Sequence, residues 1–260
     1  MRLLTYNIHK GFSVGNRRFT LETIRNALRE VEADIVFLQE VRGHSDHHPL
    51  PLIETPGGDT PKSDAPSTAQ FEYLADQLWP HHAYGKNAIY RSGHHGNAIL
   101  SSHPFSEWEN INVSNRSYAS RSLLHGVIKT SAGAPLHLIC VHLGLFESER
   151  RGQLQRLVER IRSHVPDNEA LIIAGDFNDW RKQADEYLCG ELGLVDIYAA
   201  QHGKPARTFP VWRPLLAVDR IYGRGITAVN CHRLHGKPWT RLSDHLPLIA
   251  EFELGNSSTY

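Results

Sequence analysis

The most constraining feature of the sequence is an apolar run that stops abruptly at acidic and amide side chains. Residues 170–174 read Ala-Leu-Ile-Ile-Ala, and Gly-Asp-Phe-Asn-Asp follows directly over residues 175–179. A short apolar run bounded by glycine predicts a buried strand. Polar residues at the end of such a strand are held rigidly at the rim of a domain. Rigid positioning suits catalysis, because holding a reacting group in place lowers the barrier substantially.

Two side chains of this segment, Asp176 and Asn178, have two interpretations. Two apart in an extended segment, they point to the same side. The carboxylate can take a proton or bind a metal, and the amide can donate a hydrogen bond to an anionic oxygen. Asp and Asn are also favoured in turns, so this segment alone does not separate a functional site from a hairpin turn.

The length and composition predict one domain over residues 1–260. The chain is 40% hydrophobic and 22% charged, which allows a large core. Lys and Arg total 28, as do Asp and Glu, so the formal net charge is zero. There is therefore no overall basic excess of the kind that drives tight nucleic-acid binding, although a local basic groove is compatible with a neutral total.

The cysteines and the N-terminal sequence indicate a cytoplasmic protein. Cys140, Cys189 and Cys231 are odd in number and lack metal-ligand spacing, so we expect reduced thiols, two of them in apolar strands. Strand-like sequence begins at Arg2, so no signal peptide is predicted. No apolar run approaches the roughly 20 residues that span a bilayer, so we expect no transmembrane segment. We also expect a monomer.

Hydrophobic periodicity predicts many strands and about four helices, without strict strand–helix alternation. This pattern is typical of two packed sheets with helices outside. Helices are predicted over residues 21–31 with Thr20 as the N-cap, 68–79, 147–165 and 183–189. Strands are predicted over residues 2–8, 35–38, 83–90, 97–101, 108–113, 122–129, 136–142, 170–174, 218–222, 227–234 and 246–254.

The least regular part of the chain runs over residues 43–67 and contains five prolines. We predict a long surface loop there. His44, Asp46, His47 and His48 could hold an accessory metal, but no rigid element is predicted beneath them. A solvated loop is therefore the preferred interpretation.

Polar groups of catalytic type stand at the ends of many predicted strands. A set drawn from the whole chain is hard to explain by turn chemistry alone. The members are Asn7, Glu40, Asn97, His142, Asp176, Asn178, Asp219, Asp244 and His245.

Seven motifs that contain these residues occur in a fixed order. They are Thr-Tyr-Asn-Ile-His, Leu-Gln-Glu-Val, Gly-Asn-Ala-Ile-Leu-Ser, His-Leu-Gly, Gly-Asp-Phe-Asn-Asp, Val-Asp-Arg-Ile-Tyr and Ser-Asp-His-Leu-Pro. From Thr5 to Pro247 the chain resembles the endonuclease/exonuclease/phosphatase superfamily, with its deoxyribonuclease I-like fold. The resemblance implies an α/β (α+β) fold: a four-layer α/β/β/α sandwich of two mainly antiparallel sheets packed face to face, with helices outside. It also implies cleavage of a phosphate ester by water, with Mg²⁺ or Mn²⁺ as the cofactor.

The resemblance assigns roles to the residues that match its motifs. Glu40 is the expected metal ligand, with Asn7 reaching the same metal or the phosphate and Asp244 as a second metal-side carboxylate; a hard divalent cation prefers such oxygen ligands. Asn7 could instead be only a hydrogen-bonded amide at a strand end.

The catalytic group is expected to be Asp176, Asn178, Asp219 and His245. Asp176 would orient or deprotonate the attacking water, and Asn178 would donate to the developing oxyanion. His245 could act as a base or as a phosphate ligand, and Asp219 would fix its tautomer.

Other candidates face the phosphate or the rim. His142 is expected to contact the phosphate or the leaving group, or else to be a satisfied core histidine. Asn97 and Arg121 are candidate phosphate donors, although Arg121 could equally be a strand-surface arginine. Further candidates for the rim are His9, Arg116 and Trp212.

Three functions are open at this point. A nuclease-like endonuclease or exonuclease acting on nucleic acid is the first expectation. A phospholipid or inositol-phosphate phosphoesterase, similar to a sphingomyelinase, is the alternative, and a lipid headgroup substrate would call for an exposed apolar hairpin, for which residues 208–216 are the candidate. In the superfamily this segment commonly packs on the core. A catalytically silent binding module is the alternative from another class.

Overall fold

The predicted architecture is confirmed in a computed structural model of the protein. The structure describes residues 1–16, 18–45, 69–90, 93–114, 120–130 and 133–255. Two six-stranded sheets pack face to face, and helices cover their outer faces. This is the α/β/β/α sandwich that the resemblance implies.

The described residues contain twelve strands and five helices. The strands are β1 (Arg2–Asn7), β2 (Ile35–Ser45), β3 (His81–Tyr90), β4 (Gly93–Ser101), β5 (Phe105–Asn112), β6 (Ser122–Lys129), β7 (Pro135–His142), β8 (Ala170–Asp176), β9 (Val195–Asp196), β10 (Asp219–Arg224), β11 (Ile226–Arg233) and β12 (Leu248–Leu254). The helices are α1 (Leu21–Val31), α2 (Gln70–Ala75), α3 (Glu147–His164), α4 (Gln183–Asp185), which continues as a π-helical turn over Glu186–Glu191, and α5 (Ile197–His202).

Each sheet is built around one parallel pair of strands. The first sheet has the order β11-β12-β1-β2-β4-β3, and the second has the order β5-β6-β7-β8-β10-β9. β1 pairs with β2 in parallel and β7 pairs with β8 in parallel, whereas the other neighbours are antiparallel. A parallel pair needs a crossover connection, and α1 and α3 supply the two crossovers.

The inner strands, such as β1, β7 and β8, read as nearly continuous apolar runs because both of their faces are buried. Between the sheets, Phe37 of β2 and Ile172 of β8 belong to one buried cluster. On the outer face of the first sheet, Leu28 of α1 joins the cluster of Leu38. On the outer face of the second sheet, α3 contributes Leu157 to a third cluster.

Some predicted boundaries differ from those observed. β2 continues to Ser45 because it pairs with β4 up to Gly93, so the predicted loop begins at least three residues too early. Helix α2 is shorter than the predicted span of 68–79. Thr20 does precede α1, but its hydroxyl donates to the carbonyls of Gly11 and Leu242 rather than capping the helix.

Most of the predicted loop and its histidine cluster fall outside the described residues, whereas the cysteines can be compared with the prediction. Residues 46–67 of the predicted loop lie outside them, and so do Asp46, His47, His48 and the side chain of His44. The three cysteines are free thiols, and Cys140 and Cys231 lie in β7 and β11 as predicted. Within the described ranges, every helix falls short of the length and apolar character needed to cross a membrane.

A chain of hydrogen bonds runs between α3 and the second sheet. Arg160 Nε donates to His125 Nδ1 over 3.1 Å, and His125 Nε2 lies 3.0 Å from His137 Nδ1. His137 Nε2 lies 2.6 Å from Glu169 Oε2. Because a guanidinium can only donate, His125 Nδ1 must accept and the proton of His125 is on Nε2. His125 Nε2–H then donates to His137 Nδ1, and His137 Nε2–H donates to Glu169. The arrangement therefore requires a neutral His125.

The pKa of His125 agrees with the neutral state that these hydrogen bonds require. Burial, with the positive charge of Arg160, lowers the pKa of His125 to about 3. His137 and the exposed His164 add to the same effect. Arg160 also pairs with Glu109 at 2.8 Å, so its charge is held in place.

We expect the free energy of unfolding to fall in acid because of His125. The unfolded chain binds a proton at this histidine near pH 6.5, but the folded chain binds it only near pH 3. Stability is therefore lost as the pH falls below about 6.5, by up to about 1.4 kcal/mol per pH unit. His125→Gln keeps a donor and an acceptor without titrating, so urea unfolding from about pH 7 to about pH 4 should show a shallower slope. The control is His235→Gln at an exposed site; equal slopes in the wild type and in His125→Gln would refute the assignment.

Candidate active site at the rim of the two sheets

Strand register brings three predicted catalytic residues side by side. His142 of β7 and Asp219 of β10 both align with Asp176 at the end of β8. In the first sheet, Asn7 ends β1 opposite Gln39 of β2. Asn7 Nδ2 donates to Asp176 Oδ2 over 3.1 Å, and this bond joins the rims of the two sheets.

His245 is held by the second carboxylate of the group. Its Nδ1 lies 2.9 Å from Asp219 Oδ2, and its Nε2 lies 3.8 Å from Asp176 Oδ2. Burial works against the charged imidazole, but the carboxylates of Asp219 and Asp176 outweigh it and raise the pKa of His245. At neutral pH His245 is therefore an imidazolium whose Nε2–H points toward Asp176.

Asp176 is a buried carboxyl group with several donors. Its Oδ1 accepts the backbone N–H of Asn178 over 2.9 Å, and its Oδ2 accepts from Asn7. Burial raises the pKa of Asp176, even though the charge of His245 works in the opposite direction. A carboxyl group with a raised pKa is suited to accept a proton near neutral pH.

The second histidine of the site is in the opposite protonation state. His142 Nε2 lies 3.7 Å from Asp176 Oδ2. Burial and the positive charge of Arg121 hold the pKa of His142 well below its usual value. The same oxygen of Asp176, Oδ2, thus has a neutral imidazole at 3.7 Å and the charged His245 at 3.8 Å. Pairs of titratable groups whose surroundings shift their pKa values in opposite directions are typical of acid–base catalysis.

Two buried atoms of this group are unpaired. His142 Nδ1 and Asp219 Oδ1 have no hydrogen-bond partner among the described residues. Folded proteins pair nearly all such atoms, and a catalytic role is one explanation for an exception. Both atoms are therefore available to a reacting molecule.

The backbone carries strain at the same rim. Glu40 has φ +56° and Asn178 has φ +49°, left-handed values that cost a residue with a side chain about 1–3 kcal/mol. Gly175 has φ +144°, and a Cβ there would stand 2.0 Å from the carbonyl oxygen of Val141. The glycine of the Gly-Asp-x-Asn motif therefore lets β8 approach β7 closely just before Asp176.

Each of the three predicted metal ligands contacts the segment that follows β1. His9 donates its backbone N–H to Asn7 Oδ1 over 3.1 Å, and its Nδ1 lies 2.8 Å from Asp244 Oδ1. Lys10 Nζ lies 3.5 Å from Glu40 Oε2. Two carboxylates and an amide oxygen thus border the same short segment, and both carboxylates are only partly buried.

This donor set fits a hard divalent cation, which prefers oxygen ligands. A second acidic group consists of Asp176, Asp219 and His245, whose ligand atoms lie within 4.8 Å of one another. It fits less well, because His245 Nδ1 is bonded to Asp219 and a protonated imidazole has no lone pair to offer. By donor chemistry alone, the oxygens of Glu40, Asp244 and Asn7 therefore suit a hard cation better than this second group does.

The remaining predicted residues reach the rim in different ways. Arg121 directly precedes β6, and its Nη1 donates to the carbonyl of Ser120. Its positive charge helps to lower the pKa of His142. Asn97 donates to the carbonyls of Ser122 and Cys140, so its N–H groups are used between the sheets, which argues against a role as phosphate donor.

The amide of Asn178 is only partly available for its predicted role as a donor to the oxyanion. Its Nδ2 donates to the Leu143 carbonyl over 2.9 Å, which leaves one amide hydrogen for an oxyanion. Of the rim candidates, Trp212 is exposed, and Arg116 lies outside the described residues.

Three residues of the site were not identified from the sequence. Lys10 pairs with Glu40, although its place in a polar strand end could have drawn attention to it. Ser243 donates to the Asn7 carbonyl over 2.7 Å and belongs to the Ser-Asp-His motif. The ring of Phe209 packs 4.9 Å from that of His245, and no local pattern marks this contact.

Two packed sheets with a rim of carboxylates, amides and imidazoles are the architecture of deoxyribonuclease I-like proteins. The chain belongs to the Endonuclease/Exonuclease/phosphatase family, whose sequence profile matches residues 4–245.

Comparison with individual proteins agrees with this family. The chain is 45% identical over 254 residues to the uncharacterized protein YbhP of Escherichia coli strain K12, which covers 97% of this chain and 96% of YbhP. The endonuclease/exonuclease/phosphatase of Beutenbergia cavernae matches with a TM-score of 0.74 and 20% identity, over 99% of this chain and 72% of that one. TDP2 of D. rerio, solved with a single-strand DNA product, matches with a TM-score of 0.66 and 21% identity, over 97% and 98%. These two structures share the fold.

We expect Asp219→Asn to lower the pKa of His245. Removal of the negative partner takes away the attraction that favours the imidazolium, whereas an amide oxygen can still accept from Nδ1. The shift should be about 1–3 pH units. It can be measured in the cation-free protein by NMR titration of the His245 ring protons, with Glu251→Gln, at the Arg2 ion pair, as the control. An unchanged titration in Asp219→Asn would contradict the assigned pairing.

Proposed function

We propose that this protein is a divalent-cation-dependent phosphodiesterase that cleaves its substrate by attack of water. The observation that supports this most strongly is the position of Asp176. Its Oδ2 lies 3.7 Å and 3.8 Å from two histidines of opposite charge state and accepts a hydrogen bond from Asn7, one of the predicted metal ligands.

Glu40, Asp244 and the oxygen of Asn7 would hold Mg²⁺ or Mn²⁺. When bound, the cation neutralises charge on the phosphoryl oxygens of the substrate. Lys10 and His9 lie beside these two carboxylates in the structure and stabilise their negative charge at the rim.

Asp176, Asp219 and His245 would control the protons of the reaction. Asp176 accepts the proton of the attacking water, because burial has raised its pKa into a useful range. His245 stays charged and donates from Nε2 to a phosphoryl oxygen, and Asp219 holds its ring in place. Of the two roles considered for His245, its raised pKa favours phosphate ligand over base.

His142 and Asn178 would complete the reaction. The neutral imidazole of His142 is buried beside Asp176 and can hydrogen-bond to the leaving oxygen. The remaining amide hydrogen of Asn178 can donate to the developing oxyanion. A silent binding module would lack one of these parts, and the chain retains them all.

The substrate class is tested by a panel. Plasmid DNA, abasic DNA and RNA test the nuclease-like activity that the sequence favoured, and phosphoinositides, sphingomyelin and lysolipids test the lipid alternative. A monomeric, cytoplasmic protein is part of the same proposal.

We expect His245→Ala to lower turnover of bis-p-nitrophenyl phosphate with Mg²⁺ by at least about a thousandfold. Loss of the imidazolium removes charge stabilisation worth roughly 4 kcal/mol of barrier. Steady-state kinetics measures the effect, and His235→Ala at an exposed position is the control. A loss smaller than about tenfold would remove His245 from the mechanism.

We expect Glu40→Gln to weaken cation binding without unfolding the protein, because one anionic oxygen ligand becomes a neutral amide. Mn²⁺ binding followed by electron paramagnetic resonance measures the affinity directly. The matched control is Glu32→Gln, since Glu32 has a similar left-handed backbone at the end of α1. An unchanged Mn²⁺ affinity in Glu40→Gln would falsify its role as a ligand.

A further inference from the structure

Three segments leave the second sheet beside the candidate active site. Residues 143–146 follow β7, residues 177–182 follow β8, and residues 209–216 precede β10. Because His142, Asp176 and Asp219 lie in register, the three segments emerge at the same end of the sheet as the catalytic group.

These segments carry large apolar side chains that face solvent. They hold five of the ten exposed large hydrophobic residues among the described residues. The five, named the apolar rim here, are Leu145 (59% exposed), Phe146 (65%), Trp180 (43%), Trp212 (72%) and Leu215 (49%). Single exposed apolar residues are common, but a concentration of them around a site marks an interaction surface.

The segment 209–216 ties the apolar rim to the catalytic residues. Phe209 and Leu216 form a two-residue bridge that closes the segment as a hairpin. At its base the ring of Phe209 packs on His245, and Val211 is buried. The tip carries the exposed Trp212. The hairpin is therefore anchored at the active site and presents its apolar tip outward.

Basic side chains surround the apolar rim. Arg181, Lys182 and Arg213 are exposed in the same segments, and Arg151 is exposed in the second turn of α3. Two carboxylates oppose these four cations: Glu147, which pairs with Arg181 at 3.0 Å, and the buried Asp179. The local charge is therefore positive, although the whole chain is neutral.

We propose that the apolar rim docks on an anionic phospholipid bilayer and that the substrate is a phosphate ester presented at that surface. Tryptophan and basic residues at the edge of an apolar patch are typical of contact with the lipid headgroup region. The second half of this inference rests on the proposed function, whereas docking needs no catalysis.

Single-stranded nucleic acid is the competing partner for this surface. Stacking of bases requires aromatic faces next to a basic groove. Leu145 and Leu215 offer no such face, but aliphatic side chains do insert among lipid tails. The mixed composition of the apolar rim therefore favours a bilayer.

The test is sedimentation of the full chain with vesicles, in the presence of a chelator so that no turnover occurs. Vesicles of phosphatidylglycerol and phosphatidylcholine are compared with vesicles of phosphatidylcholine alone. We expect binding to the anionic vesicles, with a blue shift of tryptophan fluorescence, and at least a tenfold weaker affinity for the double variant Trp212→Ser/Leu215→Ser. The matched control is Trp108→Ser, which removes a half-exposed tryptophan from the edge strand β5 and should bind as the wild type does.

Several results would overturn the proposal. Wild-type protein that stays in solution with anionic vesicles would do so, as would equal weakening by Trp108→Ser and the double variant. Binding of a single-stranded oligonucleotide that the double variant loses, with no binding to vesicles, would assign the surface to nucleic acid instead. Turnover of bis-p-nitrophenyl phosphate without vesicle binding rejects docking alone, whereas vesicle binding without turnover rejects the proposed function alone.

Discussion

Asp176 is a nearly fully buried carboxylate on the line where the two sheets meet, and a buried charge is tolerated only with partners. Asn7 supplies one from the other sheet, Asn178 supplies one from the following turn, and His245 supplies a positive charge. Asp219 in turn makes that charge possible. Most residues of the site are thus present as direct or indirect partners of one buried carboxylate. Removal of any partner leaves a buried group unpaired.

The fold creates this arrangement through two similar units. In each sheet a strand, a crossover helix and a second strand form a parallel pair, so both strand ends point to the same rim. The first unit delivers Asn7 at the rim and Glu40 just beyond it. The second delivers His142 and Asp176 in register. Antiparallel β10 then starts at this rim with Asp219, whereas a one-residue slip would turn its side chain to the other face of the sheet.

The sequence predicts the parts of the molecule that local pattern controls. Strands buried on both faces give apolar runs, and the strand-end motifs mark the rim, so the sandwich could be recognised and the polar set brought together. Pairing that depends on distant partners could not be predicted: β2 extends to Ser45 only because β4 lies beside it, and the short β9 forms only against β10. The contact of Phe209 with His245 is likewise set by tertiary packing.

The hairpin over residues 209–216 links recognition with chemistry. At its base Phe209 packs on the imidazole of His245, and the backbone N–H of Val211 donates to the carbonyl of Asp244 over 2.8 Å. Its tip presents Trp212 to the surroundings. Any partner that binds the tip therefore acts on an element in direct contact with both His245 and Asp244. Since catalysis depends on interactions that strengthen in the transition state, energy from such binding can be used to position these two residues rather than only to hold the substrate.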